Sequence, residues 1–224
     1  MLIPSIDLMG GKIVQLIQGS RKALEFDNFQ EWIDRFASYP LVQLIDLDAA
    51  KSVGNNRELL SEIASQLPCQ VGGGIRAIDT AREMLRLGAR RVILGSSLIS
   101  EGTINSSFAR EAAETLGPES LVFAVDSLGG RVAIKGWQET TNLTPIEMMS
   151  ALESYCSAFL YTHIDTEGML KGIPLDVIKQ LRASTSRRLI AAGGIRTCDE
   201  IEALDTMGVD AVVGMAIYQN LIPV

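Results

Sequence analysis

Two aspartates close similar apolar runs. Asp7 comes directly after LIPSI and Asp126 directly after LVFAV. A carboxylate at the end of such a run is costly to place there without a partner. Two carboxyls in different environments can divide acid and base work between them. Both are followed by long loops, roughly residues 8–27 and 127–143, and long loops of this kind tend to cover substrate. A second chemistry is carried by glycine. Gly73-Gly74 and Gly193-Gly194 are pairs, and Gly95-Ser96 and Gly214-Met215-Ala216 are turns. Glycines let backbone amides approach an oxyanion, and a following helix N-terminus adds the positive end of a dipole. Ser96 and Ser97 add hydroxyl donors. Phosphate held this way needs few cations.

These residues share one register. Ser5-Ile6-Asp7 with Gly10-Gly11-Lys12 matches Ala124-Val125-Asp126 with Gly129-Gly130-Arg131, 119 positions later. Gly73-Gly74-Ile75-Arg76 returns as Gly193-Gly194-Ile195-Arg196 after 120 positions, and Gly95 as Gly214 after 119. Asp46-x-Asp48 falls on Asp165-x-Glu167. Four landmarks in one register mark an internal repeat of about half the chain. The repeat predicts a two-fold site, with Asp7 and Asp126 on opposite sides of a mouth and an anion cradle in each half. The matching ligand is a small molecule with a phosphate at each end.

The elements that must position these residues are legible as eight short apolar runs. They are Leu2–Asp7, Leu41–Asp46, Cys69–Gly72, Arg91–Gly95, Leu121–Asp126, Phe159–Asp165, Arg188–Ala192 and Asp210–Gly214. Nearly continuous hydrophobicity is the pattern of parallel strands buried on both faces. Between them, Leu59, Leu60, Ile63, Ala64 and Leu67, and again Ala81, Met84 and Leu85, recur at helical spacing. Asn55-x-x-Glu58, Thr144-Pro145 with Glu147, and Thr197-x-x-Glu200 read as capped helix starts. The 224 residues give each strand-helix unit about 28, which fits a single TIM (β/α)8 barrel with half-repeats near 1–119 and 120–224. A doubly wound sheet is the runner-up, but an open sheet gives no reason for the repeat. Only ten residues follow Gly214, so the eighth helix is expected to be short or absent, with reduced stability or compensating contacts.

Composition excludes several classes. The chain has 20 Lys and Arg against 27 Asp and Glu, a net charge of −7. That balance disfavours a nucleic-acid partner. Cys69, Cys156 and Cys198 form no C-x-x-C pair, and His163 is the single histidine. A disulfide framework, a Cys-rich zinc site and a multi-His metal centre are therefore not expected. No signal peptide or bilayer-length apolar run is visible, so a reduced cytosolic compartment is the default.

Some residues carry weaker signals. Asp48 is expected to pair with Lys51 or Arg76 inside the mouth. Glu167, in a loop after the sixth strand, is a candidate acid. Thr162 and His163 are adjacent on a strand and cannot both face the interior; His163 reads as structural. Trp137 beside Gly136 is either a surface anchor or a stacking platform. Met148-Met149 reads as helix core.

IPSIDLMGGKIV, Asp46-Leu47-Asp48-Ala49-Ala50, Val71-Gly72-Gly73-Gly74-Ile75-Arg76, Gly136-Trp137, Thr162 with Asp165-x-Glu167-Gly168-x-Leu170-x-Gly172, and Ala192-Gly193-Gly194-Ile195 together resemble the phosphoribosylformimino-5-aminoimidazole carboxamide ribotide isomerases of histidine biosynthesis. The resemblance covers nearly the whole chain. It implies an Amadori rearrangement of an aminoaldose bisphosphate to an aminoketose. It implies no metal or organic cofactor, and relatives are often monomers; the acidic balance and the lack of a bilayer-length run are the reasons to expect no nucleic-acid or membrane partner. It makes Asp7 the general base and leaves the acid between Asp126 and Glu167, with Thr162 next to the reacting sugar. Arg76 and Trp137 match positions that hold the imidazole-carboxamide end. Phosphates fall to Gly73-Gly74, Gly95-Ser96, Gly193-Gly194 and Gly214-Met215, with Asp48 and Gly168 also on the substrate. The chain departs from the family pattern at Glu167, usually Asp, at Gln15, often Arg, and in its short C-terminus. A dual isomerase that also takes phosphoribosyl anthranilate, and a phosphosugar-binding barrel without catalysis, are the alternatives. A related cyclase fits less well, because Ser5 stands where its members carry Cys. A glycosidase using the two aspartates leaves the phosphate cradles without a purpose.

Overall fold

The structure, a computed structural model, describes residues 1–223. Eight strands form its centre: β1 Leu2–Met9, β2 Val42–Asp46, β3 Cys69–Gly72, β4 Arg91–Leu94, β5 Leu121–Leu128, β6 Ala158–His163, β7 Arg188–Ala192 and β8 Val209–Val213. Each pairs in parallel with the next, and β8 pairs with β1 to close the ring. A helix follows each strand: α1 Phe29–Phe36, α2 Arg57–Gln66, α3 Ile78–Arg86, α4 Ser106–Leu116, α5 Pro145–Leu152, α6 Leu175–Ala183, α7 Cys198–Thr206 and α8 Met215–Tyr218. This is a TIM barrel.

Strand alternation sorts side chains between two cores. Ile6 and Leu8 of β1 face the helices, with Phe123 and Val125 of β5 in the same cluster. Ile3, Val122, Leu160, Ile190 and Val212 form a second cluster in the barrel interior. The inward series on β1 is therefore Ile3, Ser5, Asp7, and on β5 Val122, Ala124, Asp126. Each ends with its carboxylate at the C-terminal mouth.

The repeat is visible in the backbone. Gly10 and Gly11 have φ of 58° and 73°, and Gly129 and Gly130 have 57° and 77°. In both halves the first strand continues through that turn into an antiparallel ribbon, Lys12–Ile17 with Arg21–Phe26, and Arg131–Ile134 with Glu139–Thr140. These two ribbons rise over the mouth.

Two of the three expected capping boxes are present, at Thr144 with Glu147 and at Thr197 with Glu200. The third is not. The N-cap of α2 is Asn56, which makes no side-chain cap. Its carboxamide instead donates to Asp46 and Asp48, at 2.8 and 2.9 Å, and accepts from the Gly11 amide at 2.9 Å. Met148 and Met149 are buried in the helix-facing core.

Helix α8 is one turn long, and the contacts that compensate are aromatic. All four of its residues are buried. Tyr218 packs on Trp32 at 4.1 Å between ring centroids, and on Phe26 and Phe36 at 5.3 and 6.3 Å. No helix among the described residues is long and apolar enough to cross a membrane.

Candidate active site

A cavity of about 220 Å³ opens at the C-terminal ends of the strands. Asp7, Asp126, Thr162 and Glu167 line it, as do Arg76, Trp137 and the glycine pairs and turns of both halves. Strands β1 and β5 stand four apart in the ring of eight, so Asp7 and Asp126 face each other across the mouth.

The three carboxyls have different surroundings. Asp7 accepts a hydrogen bond from Ser5 Oγ at 3.0 Å. Burial pushes its carboxyl up to about 6, against the pull of that hydroxyl. Asp126 accepts from Trp137 Nε1 at 2.8 Å. Burial raises it, while the Trp137 N–H and the Thr162 hydroxyl favour its ionised form. Thr162 sits directly beside Asp126 in the β5–β6 register. Glu167 is pushed up to about 8, first by burial and then by the negative charges of Asp7 and Asp126. Three carboxyls in one apolar-walled mouth cannot all ionise cheaply, and Glu167 is the one that keeps its proton.

Glu167 reaches the mouth because its loop is pressed against the first ribbon. Gln18 N donates to Glu167 O at 3.1 Å. Gly168 has φ 67°, and a Cβ there would lie 2.2 Å from the Leu16 carbonyl. Only glycine allows this approach. His163 points away from the cavity. Its Nδ1 lies 2.9 Å from Thr166 Oγ1, which also donates to Gly193 O at 3.1 Å and so ties the Glu167 loop to the glycine pair after β7.

The two cradles are near copies. Gly73 and Gly74 have φ of 99° and 68°; Gly193 and Gly194 have 109° and 82°. A Cβ on Gly73 would strike Asp46 O at 2.2 Å, and one on Gly193 would strike His163 O at 2.4 Å. Gly95 and Gly214 share the same unusual backbone, φ −127° with ψ −95° and φ −111° with ψ −90°. In the first cradle Ser96 Oγ accepts from Lys135 N at 2.9 Å, and the buried Ser97 Oγ has no partner among the described residues. In the second, the buried neutral amide of Gln15 lies against Gly214, with its Nε2 on Val14 O at 2.9 Å.

Asp48 is a correction. It pairs with neither Lys51 nor Arg76 and does not line the cavity. Its Oδ2 accepts from Gly10 N at 2.6 Å and from Asn56 Nδ2 at 2.9 Å, which anchors the first ribbon. In the other half that task falls to Asp165, whose Oδ2 accepts from Gly129 N at 3.0 Å. The exchange leaves Glu167 unclaimed by the backbone and directed at the mouth. Arg76 lines the cavity but is held by carbonyls, donating to Ala49 O, Gly74 O and Ala50 O. Trp137 is no surface anchor. Besides bonding Asp126, its ring covers Gly19, where a Cβ would come within 2.6 Å of it.

Sequence reasoning singled out neither Gly19, which admits the indole, nor Ser5 as a partner of Asp7. The signal for Ser5 was present: two positions before Asp7 on one strand is the same face. Gly19 gave no such signal, because its role depends on a loop more than a hundred residues away.

A family model described as "Histidine biosynthesis protein" matches residues 1–223. Among curated relatives, a protein of Methanocaldococcus jannaschii is 40% identical over 99% of this chain and 94% of its own length. One from Methanothermococcus thermolithotrophicus is 36% identical over 99% and 95%. One from Methanosphaera stadtmanae is 34% identical over 99% and 95%. All three are named 1-(5-phosphoribosyl)-5-((5-phosphoribosylamino)methylideneamino)imidazole-4-carboxamide isomerase.

Proposed function

We propose how this chain, which belongs to the histidine biosynthesis protein family and is an isomerase, performs its reaction. Its substrate is the aminoaldose named in its relatives, a ribonucleotide-like molecule with a phosphate at each end. The reaction is the Amadori rearrangement to the aminoketose. The carrying observation is the set of three carboxyls in one mouth, with Asp7 near 6 and Glu167 near 8. Near neutral pH this supplies one ionised and one protonated carboxyl together.

Glu167 donates its proton to the ribose ring oxygen as the carbon–oxygen bond at the anomeric carbon breaks and the nitrogen lone pair forms the imine. Asp7 then takes the proton from the neighbouring carbon. The electron pair moves into an enolamine; Asp7 then returns its proton to the anomeric carbon while the hydroxyl proton of the neighbouring carbon passes to Glu167, which leaves the ketone and restores both carboxyls. Asp126, fixed by Trp137 and Thr162, keeps negative charge beside the cation that forms. The paired glycines and the turns at Gly95-Ser96 and Gly214-Met215 cradle the two phosphates, and Trp137 and Arg76 border the imidazole-carboxamide end. The enzyme acts as a monomer in the cytoplasm, with no organic cofactor or metal in its cycle.

The test is spectroscopic turnover of the aminoaldose by the intact protein and by Asp7→Asn. The intact protein converts it, and Asp7→Asn is slower by about 10²–10⁴-fold, the range for removing a general base. No turnover by the intact protein, or full turnover by Asp7→Asn, contradicts the assignment.

A further inference from the structure

The short last helix reaches the catalytic base through one serine. Tyr218 of α8 donates its hydroxyl to the backbone carbonyl of Ser5 at 3.1 Å, across the closure between β8 and β1. Ser5 is 5% exposed, and its own hydroxyl donates to Asp7 Oδ1 at 3.0 Å. Both Ser5 and Asp7 face the cavity. We propose that Ser5 is a positioning residue for Asp7: its hydroxyl fixes the carboxylate that takes the proton and stabilises its ionised form, and Tyr218 fixes Ser5.

The surroundings of Asp7 leave this task to Ser5. Asp7 is paired in register with Val14 on the first ribbon and Ile45 on β2, neither titratable. Glu167, on the loop after β6, lines the cavity with it, and Tyr218 of α8 lies on the Ser5 carbonyl, within reach of the Asp7 charge. Asp126, Lys51 and Arg76 line the same cavity. Among the described residues no cation lies within ion-pair distance of Asp7. Glu167 carries a proton or a like charge, and burial with the Asp7 charge holds the Tyr218 phenol well above its ordinary range, so Tyr218 remains a donor committed to the Ser5 carbonyl. A buried carboxylate with one donor depends strongly on it, because a hydrogen bond to a charged group is about twice as strong as a neutral one. Without the hydroxyl, desolvation acts on Asp7 unopposed and its affinity for a proton rises.

The proposal rests on Asp7 being the base, so its test carries two readouts. One is kcat/KM against pH for the intact protein, Ser5→Ala and Ser5→Thr. The other is direct titration of Asp7 by carboxyl ¹³C NMR, assigned with Asp7→Asn. In Ser5→Ala the acid limb and the Asp7 titration move up together. At pH 5 kcat/KM falls about threefold to tenfold, equivalent to half to one pKa unit. Ser5→Thr, which keeps the hydroxyl, returns both toward the intact protein. Ser5→Cys, similar in size with a weak donor, shifts both in the direction of Ser5→Ala and serves if the alanine variant does not fold. An Asp7 titration unmoved in folded Ser5→Ala or Ser5→Cys overturns the proposal. So does a rate that falls equally at every pH with the limb in place. If the intact protein turns nothing over, the isomerase mechanism fails, while the NMR titration still decides the role of Ser5.

Discussion

Glu167 is tied through its backbone to Gln18, and its carboxyl lines the same mouth as Asp7 and Asp126. Its pKa near 8 is the signature of a group held protonated by burial and like charge. Such a group also has a stability consequence. Its folded pKa lies above the ordinary carboxyl value, so the native state binds the extra proton between roughly pH 4.5 and 8. The stability it contributes is present below that window and is lost as pH rises through it. Glu167→Gln, neutral at every pH, therefore gains thermal stability over the intact protein as pH goes from 5 to 8.5, and the two differ least at pH 5. Melting temperatures across that range check this. The same variant loses the acid, and turnover falls by about 10²–10⁴-fold. Asp48 behaves differently, since it anchors Gly10 and not substrate. Asp48→Ala frees the first ribbon, weakening kcat/KM while leaving both pH limbs where they are, and a pH profile of the variant distinguishes this from a loss of chemistry.

At the scale of elements, the glycine pairs are where backbone shape and ligand binding coincide. Gly193→Ala forces a side chain onto a left-handed backbone and into contact with the His163 carbonyl. It costs about 1–3 kcal/mol of stability, read by denaturant unfolding, and raises KM by disturbing the second cradle. The strands were legible in the sequence because a barrel strand buried on both faces must be apolar almost throughout, and the repeat supplied their pairing into halves. Two helix starts were legible because Thr and Glu at cap spacing have few competing partners. The start at Asn55 was misread because Asn56, one position on, is consumed by Asp46, Asp48 and Gly11. Asp48 was misread for a related reason. In D-x-D and D-x-E turns the acid that reaches the ribbon amide depends on loop path, and the halves differ: the third position serves in one, Asp48, and the first in the other, Asp165. Spacing alone does not encode that exchange.

For the whole molecule, the barrel closes with a last helix of one turn. Tyr218 fills the gap between α1 and β1 with an aromatic cluster and bonds β1 itself. Tyr218→Ala removes both and destabilises by about 3–5 kcal/mol, whereas Tyr218→Phe keeps the packing and loses the Ser5 contact. Comparing the melting temperatures of the two separates ring packing from the hydrogen bond. This cluster was not legible in the sequence, since the partners of Tyr218, Phe26, Trp32 and Phe36, lie near the other end of the chain. The central claim concerns the mouth that this closure holds open: one carboxylate and one carboxylic acid coexist there near neutral pH. The dependence of kcat/KM on pH for the intact protein, measured with the aminoaldose, tests it most directly. The account predicts a bell with an acid limb near 6 from Asp7 and an alkaline limb near 8 from Glu167. A rate that stays flat from pH 5 to 9, or that keeps rising through pH 9, contradicts it.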